Sequence, residues 1–272
     1  MLTNSKNPVT MITGILHNRQ LIYQLVKRDI EARYKGSAIG MLWSLFHPIV
    51  MLAIYTFVFS FVFQARWDTG SENKVDFALV LFIGMIAHSL LAENISRAPS
   101  LIIGNANYVK KVVFPLEVLP WVALGTTLFH SGISLLVWAT FYFIVNQTFH
   151  WTALFLPLVL VPLILYSIGF SLMFAAMGVF LRDIGQITGI LATVLLFLCP
   201  IFYPISTLPE TFQVYMYLNP LTVIVEQARE VLLWGHVPSW KHLGASFASS
   251  LAIASAGYYI FQKTRPGFAD VL

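Results

Sequence analysis

Four basic residues, Lys27, Arg28, Arg33 and Lys35, stand just ahead of an apolar run that opens at Ile39. Cationic groups at such a point have two uses. They neutralise and hydrogen-bond an anion, or they hold the segment on the cytoplasmic side of a membrane. A second basic pair, Lys110 and Lys111, lies in a polar stretch between two apolar runs. Glu226, Arg229 and Glu230 recur at i, i+3 and i+4, one stripe of a helix. Aromatic rings supply the other chemistry. Phe57 and Phe61 share one helical face, and Tyr55, Phe59 and Phe63 share another. Phe197, Phe202 and Tyr203 form a comparable group. Ring faces make weak stacking contacts without fixing a partner's register. The same rings also serve as lipid-facing or packing groups.

Much chemistry is excluded. The chain has no G-x-x-x-x-G-K-[ST], no H-E-x-x-H and no G-x-S-x-G. No two of its seven histidines are four residues apart, so a helical metal pair is not expected, and one cysteine, Cys199, allows neither an intramolecular disulfide nor a thiolate metal site. His47, His88 and His130 fall within or near apolar runs, either as hydrogen-bonded structural groups or as channel-lining ones. Apart from them the middles of the runs lack ionisable groups, which argues against an ion-driven carrier.

These residues must be positioned by membrane helices. The chain is 58% hydrophobic and 10% charged, with mean hydropathy +0.76. Soluble domains carry roughly 25% charged residues. The net charge of +4 therefore reads as a topology signal and not as nucleic-acid binding. About 20 apolar residues cross a bilayer, and on that rule six spans are expected: 39–63, 77–95, 116–145, 151–180, 184–203 and 243–261. Between them, twelve Lys and Arg fall on one side and four on the other, which predicts two cytoplasmic termini. Trp67, Trp151, Trp234 and Trp240 then mark the outer interface. No signal peptide is expected, because residues 1–38 are polar and charged. Gly169, Ser171, Ala175, Ala176 and Gly178 suit close helix packing in the fourth span.

Two further helical elements are expected. Over 12–33, Ile12, Ile15, Leu16, Ile22, Leu25, Val26 and Ile30 recur at helical spacing among charged residues. This predicts an amphipathic interface helix, either a surface anchor or also a cradle for a cytoplasmic partner. Before the last span, Thr207-Leu208-Pro209-Glu210 predicts a capping box. Asn219-Pro220 predicts a second helix start, running to about Trp234. Two short helices of this kind form a re-entrant hairpin dipping into the outer leaflet, or an ordinary surface hairpin.

The blocks now assemble into a resemblance. Arg28-Asp29, Arg33-Tyr34-Lys35-Gly36-Ser37, Gly40, Trp43 and Pro48 are similar to the opening signature of ABC-2-type exporter permeases. The run Asn105–Pro120 resembles their cytoplasmic coupling segment, and Phe180–Ile184, Pro200–Pro204 and Leu218–Pro220 match further blocks. The group most resembled exports O-antigen, capsule or teichoic acid. The resemblance implies an all-α inner-membrane homodimer of six-span subunits. Two separate P-loop ATPase subunits would use the ATP and magnesium, with no catalytic residue or cofactor in this chain. It implies ATPase contact by Arg19, Lys27, Asn105, Asn107, Tyr108, Lys110 and Lys111. It also implies an outer gate over 206–234 with Phe212, Tyr215, Glu226, Arg229 and Glu230, and a polyprenyl-diphosphate-linked polysaccharide as cargo. Arg28, Arg33 and Lys35 stand where the diphosphate would meet cations, with anchoring as their other role. Channel lining falls to Tyr55, Phe57, Phe59, Phe61, Phe197, Phe202 and Tyr203. Another cargo such as a drug or lipid is the alternative. An enzyme acting on polyprenyl-linked sugars is disfavoured, because the carboxylates are scattered.

Overall fold

Prolines, glycines and a few buried polar side chains decide where the apolar runs become helices. The computed structural model describes residues 8–62, 76–109 and 114–272, so the expectations for Lys110, Lys111, Phe63 and Trp67 lie outside the described residues. The helices are α1 Pro8–His17, α2 Arg19–Tyr34, α3 Trp43–Tyr55, α4 Asp76–Ile103, α5 Ala106–Val109, α6 Val118–Asn146, α7 Leu156–Phe180, α8 Ile184–Phe197, α9 Glu210–Met216, α10 Pro220–Arg229, α11 Trp240–Thr264 and α12 Phe268–Val271. No strand occurs among the described residues.

Among the described residues, five helical stretches are long and apolar enough to cross a membrane: Gly40–Phe59, Phe77–Ile103, Val118–Asn146, Trp151–Phe180 and Trp240–Val271. The chain is a multi-pass membrane protein. The run expected as the fifth of six spans behaves differently. Its helix, α8, has only 14 residues, about 21 Å at 1.5 Å per residue against a hydrocarbon thickness of about 30 Å. Pro200 ends it: the residue before a proline avoids the helical region, and the proline has no N–H to offer. The first span is also composite. It opens with a 3-10 turn over Gly40–Leu42, contains Pro48, and passes into a π-helical stretch over Thr56–Val62.

The fourth span is the axis of the fold. Its face Ile168, Ser171, Leu172, Ala175 and Ala176 is wholly buried. Small residues let the backbones close up: a Cβ at Gly169 would lie 2.8 Å from the Ala254 Cα on α11. Polar pairs join helices inside this apolar packing. Trp138 Nε1 donates to Leu79 O at 3.0 Å, Asn94 Nδ2 to Thr127 Oγ1 at 2.6 Å, and Tyr166 and Ser249 share a 2.6 Å hydroxyl pair. His88 Nε2 sits 2.9 Å from Ala192 O, tying α4 to α8.

The amphipathic segment differs from the single helix expected over 12–33. It breaks at Asn18, whose Nδ2 donates back to Gly14 O at 2.9 Å. Such a side-chain bond competes with helix continuation. Beyond the break, α2 climbs the start of α6. Leu25 packs on Val118 and Val122, and Gly125 leaves room for Val26, which a Cβ there would meet at 2.6 Å.

Trp151, Trp234 and Trp240 gather at one end of the bundle. Thr152 Oγ1 donates to Val231 O at 2.7 Å, and Phe155 meets Trp240 edge-on at 5.9 Å. The expected capping box does not form. Thr207 closes a 3-10 turn with its hydroxyl on Pro204 O, and α9 starts at Glu210 behind Pro209. The second expected cap does form: Asn219 Oδ1 accepts from Leu221 N at 2.9 Å, with Pro220 at the first helical position.

Candidate functional site: a graded slot beside the first span

α3 presents Trp43, Ser44, His47, Pro48, Met51 and Tyr55 along one face. α4 presents Phe82, Met85, Ile86, Ser89 and Glu93, and α6 adds His130, Ser131 and Ser134. These faces, closed below by Arg33 and Tyr34 of α2, enclose a cavity of about 360 Å³. From Phe82 to Glu93 on α4 the slot runs roughly 16 Å. It is graded: cations, carboxylate, imidazoles and hydroxyls at the α2 end, thioethers and rings at the other. Tyr55 leans on Phe82 at 6.2 Å.

The α2 end carries a four-charge network. Arg33 binds Glu93 Oε1 through Nη2. Arg97 holds Asp29 with Nη2 at 2.9 and 3.2 Å from its two oxygens, and its Nη1 lies 3.8 Å from Glu93. The sequence pairs Glu93 with Arg97 at i, i+4; in the fold the stronger partner of each lies on α2. Arg97 and Asp29 therefore fasten the amphipathic helix to the second span. All four side chains are about 30% exposed, so each pair contributes little stability alone. Their value is positional. Beside them Tyr34 Oη lies 3.4 Å from His130 Nδ1, and His130 Nε2 is buried without a hydrogen-bond partner. Burial raises the Tyr34 pKa above its usual value, with Arg33 pulling it back.

The three cations expected at one anion separate. Only Arg33 reaches the slot. Arg28 and Lys35 line a second cavity of about 470 Å³ with Glu31 and Met41. Arg28 also donates to Tyr108 Oη at 3.2 Å. That bond brings α2 and the segment around α5 together, and Tyr108 stacks on Phe114 at 4.3 Å. Lys27 is exposed and 3.9 Å from Glu31. Arg19 and Asn107 are exposed, while Asn105 Nδ2 closes the end of α4 on Leu101 O.

The aromatic candidates also divide, along the two faces the spacing predicts. Tyr55 and Phe59 turn toward α4. Phe59 stacks between Phe77 at 5.6 Å and Phe202 at 5.9 Å, and Phe202 meets Phe197 at 6.1 Å. Tyr203 donates to Phe197 O at 2.9 Å. Phe57 points the other way, into an apolar cavity of about 630 Å³ between α3 and α6. The Phe61 side chain lies outside the described residues.

The stripe Glu226, Arg229, Glu230 does not share one environment. Arg229 is 0% exposed. Its Nε donates to Val80 O at 3.1 Å, Nη1 to Pro200 O at 2.6 Å and Nη2 to Ile201 O at 3.1 Å. Gly84 leaves the space this guanidinium fills, since a Cβ there would lie 3.2 Å from Nη2. Burial lowers the Arg229 pKa to about 10, so it stays charged at neutral pH. Glu226 and Glu230 instead line a cavity of about 270 Å³ with Gln227 and His242. Burial raises the Glu226 carboxyl above its usual range, and Arg229 offsets part of that. Glu230 accepts from or pairs with His236 Nδ1 at 2.7 Å. Phe212 and Tyr215 of α9 are exposed, as are Val214 and Leu218 beside them.

Sequence reasoning gave no role to Ser131 or Ser134, and Trp43 entered only as part of the opening signature. Only the crossing of α3, α4 and α6 puts the three on one cavity. His130 had a signal, an imidazole deep in an apolar run.

Residues 20–233 match the ABC-2 type transporter family. The chain is 25% identical over 264 residues to the O-antigen export system permease protein RfbA of Myxococcus xanthus, covering 96% of this chain and 99% of that one. It is 26% identical to the RfbA of Klebsiella pneumoniae, over 93% and 95% of the two chains. It is 27% identical to the polysialic acid transport protein KpsM of Escherichia coli, over 83% and 86%. With a match that runs from the start of α2 through the end of α10 and the turn beyond it, the chain belongs to the ABC-2 type transporter family.

Proposed function

We propose that this protein is the membrane subunit of an ATP-driven exporter that carries a polyprenyl-diphosphate-linked polysaccharide across the bacterial inner membrane. The observation that carries the reading is the graded slot. It sets Arg33 at one end for an anionic group, hydroxyls and imidazoles next, and aromatic faces beyond, an order that suits a lipid-linked glycan entering head first. The relatives named for O-antigen export and polysialic acid transport support the same cargo class. Their names favour it over a drug or free lipid.

Energy comes from a separate P-loop ATPase, because this sequence holds no phosphate-binding loop of its own. Two copies of the chain work with two copies of that motor. Arg19, Lys27, Asn105, Asn107, Tyr108, Lys110 and Lys111 form the motor contact; the Arg28–Tyr108 bond supports this by uniting the two segments. Both termini lie in the cytoplasm, on the basic side of the charge count.

The sixth crossing is made by α8 together with the non-helical stretch 198–204. Irregular backbone inside a bilayer needs partners within the protein, and Arg229 supplies them to Pro200 and Ile201. The outer hairpin, α9 and α10, acts as the gate above the path. Its exposed Phe212 and Tyr215 meet lipid or the second copy, while Glu226 and Glu230 face water in the outer cavity.

Affinity purification of the tagged chain from its native membrane tests the reading. A P-loop ATPase is expected to co-purify, and deleting its gene is expected to stop surface display of a glycan. Continued display without the ATPase would refute the proposal.

A further inference from the structure

We infer that the α2 end of the slot is a subsite for a single pyranose ring, the sugar next to the diphosphate, read by His130 and Ser134 of α6. This rests on the cargo proposed above. Its grounds are the residues that a diphosphate and a lipid tail leave unexplained.

A diphosphate needs cations, and Arg33 answers that. An isoprenoid tail needs an apolar groove, and the α3–α6 cavity with Leu45, Ile49 and Phe57 answers that. Neither calls for the wall that α6 contributes. His130, Ser131 and Ser134 lie at i, i+1 and i+4, on one helical face turned to the cavity. Ser134 donates to His130 O at 3.0 Å, which leaves its oxygen to accept. His130 Nε2 is buried and has no hydrogen-bond partner. A buried polar atom without a partner costs about 1–3 kcal/mol, and native structures keep such atoms for a reason.

A pyranose has the complementary chemistry. Its C–H faces stack on rings, and Trp43 stands on the α3 wall at that end of the slot. Its hydroxyl rim needs acceptors and donors in close array. Glu93 has acceptor sites beyond the one that Arg33 takes, and Ser44, His130 and Ser134 add others. At about 360 Å³ the slot lies at the small end of ligand pockets. That is room for one ring with its waters, not for a polymer.

The test uses the full chain in lipid nanodiscs. The probes are undecaprenyl diphosphate and the same lipid carrying one glucose, galactose or N-acetylglucosamine. At least one glycosylated probe is expected to bind about tenfold tighter than the bare lipid, the worth of one net hydrogen bond. Ser134→Leu, which fills the subsite, and His130→Phe, which keeps the ring and removes its nitrogens, are expected to shrink that preference to within about twofold. The readout in both is the ratio of glycosylated to bare-lipid affinity. Should one variant fail to fold, the other decides. Equal binding of bare and glycosylated probes by the parent chain overturns the sugar subsite and leaves the diphosphate reading standing. Variants that keep the tenfold preference also overturn it. A parent chain that binds none of the four probes overturns the cargo reading as well.

Discussion

Arg229→Met removes a buried charge of similar length and leaves an apolar chain in its place. Three carbonyls lose a donor: Val80, Pro200 and Ile201. Val80 lies in the first turns of α4 and keeps a helical partner. Pro200 and Ile201 lie past the end of α8, outside any helix. An unsatisfied buried acceptor costs about 1–3 kcal/mol, so the pair predicts a loss of about 2–6 kcal/mol. Part is recovered because the guanidinium no longer has to be desolvated. We take about 2–4 kcal/mol as the net opening of this corner. The reporter is already in the chain. Cys199 is the only cysteine, it is 0% exposed, and it immediately precedes Pro200. Maleimide labelling in the native state therefore requires local opening. Lowering that opening by 2–4 kcal/mol speeds labelling roughly 30- to 700-fold, provided opening is fast relative to reaction. Arg229→Lys keeps one or two of the bonds and should fall between. If the Met variant labels at the parent rate and melts at the parent temperature, the guanidinium is not what holds the irregular stretch.

Other expectations follow from single contacts. Gly125→Leu drives a side chain into Val26 and should lift α2 from α6; protease cleavage within α2 is expected to rise, and unchanged cleavage would contradict the packing. Asn219→Ala removes both a helix cap and the Nδ2 bond to Leu195 O, for a loss of about 1–2 kcal/mol in thermal unfolding. Asp29→Asn and Arg97→Gln, combined in a double-mutant cycle, should couple by no more than about 1 kcal/mol in stability. Either alone should nonetheless uncouple ATP hydrolysis from transport, because the pair fastens α2 to α4.

Much of this was written plainly in the sequence. Length and hydropathy locate five spans, and Asn219-Pro220 locates the start of α10 because its cap is local chemistry. The failures come from prolines and from non-local contacts. Thr207 and Glu210 have capping-box spacing, yet the helix is capped at Pro209 and starts at Glu210, two residues too late for Thr207 to serve it. Pro200 halts the fifth apolar run, which a count of apolar residues passes over. Arg229 looks like a member of a polar stripe, and only the approach of Val80 and Ile201 turns it into a buried tie. Arg28, Arg33 and Lys35 look equivalent along the chain. Helical rotation sends Arg33 to Glu93 and Arg28 to Tyr108.

The central claim is that this chain moves a lipid-linked glycan only when a partner ATPase turns over. It is tested most directly in sealed proteoliposomes containing the chain and the ATPase that co-purifies with it. A polyprenyl-diphosphate-linked oligosaccharide is placed on the outer, ATP-exposed face. The account predicts that the glycan becomes protected from an added glycosidase only with both subunits and hydrolysable ATP present. Protection without ATP or without the ATPase would contradict it, as would no protection with the complete system.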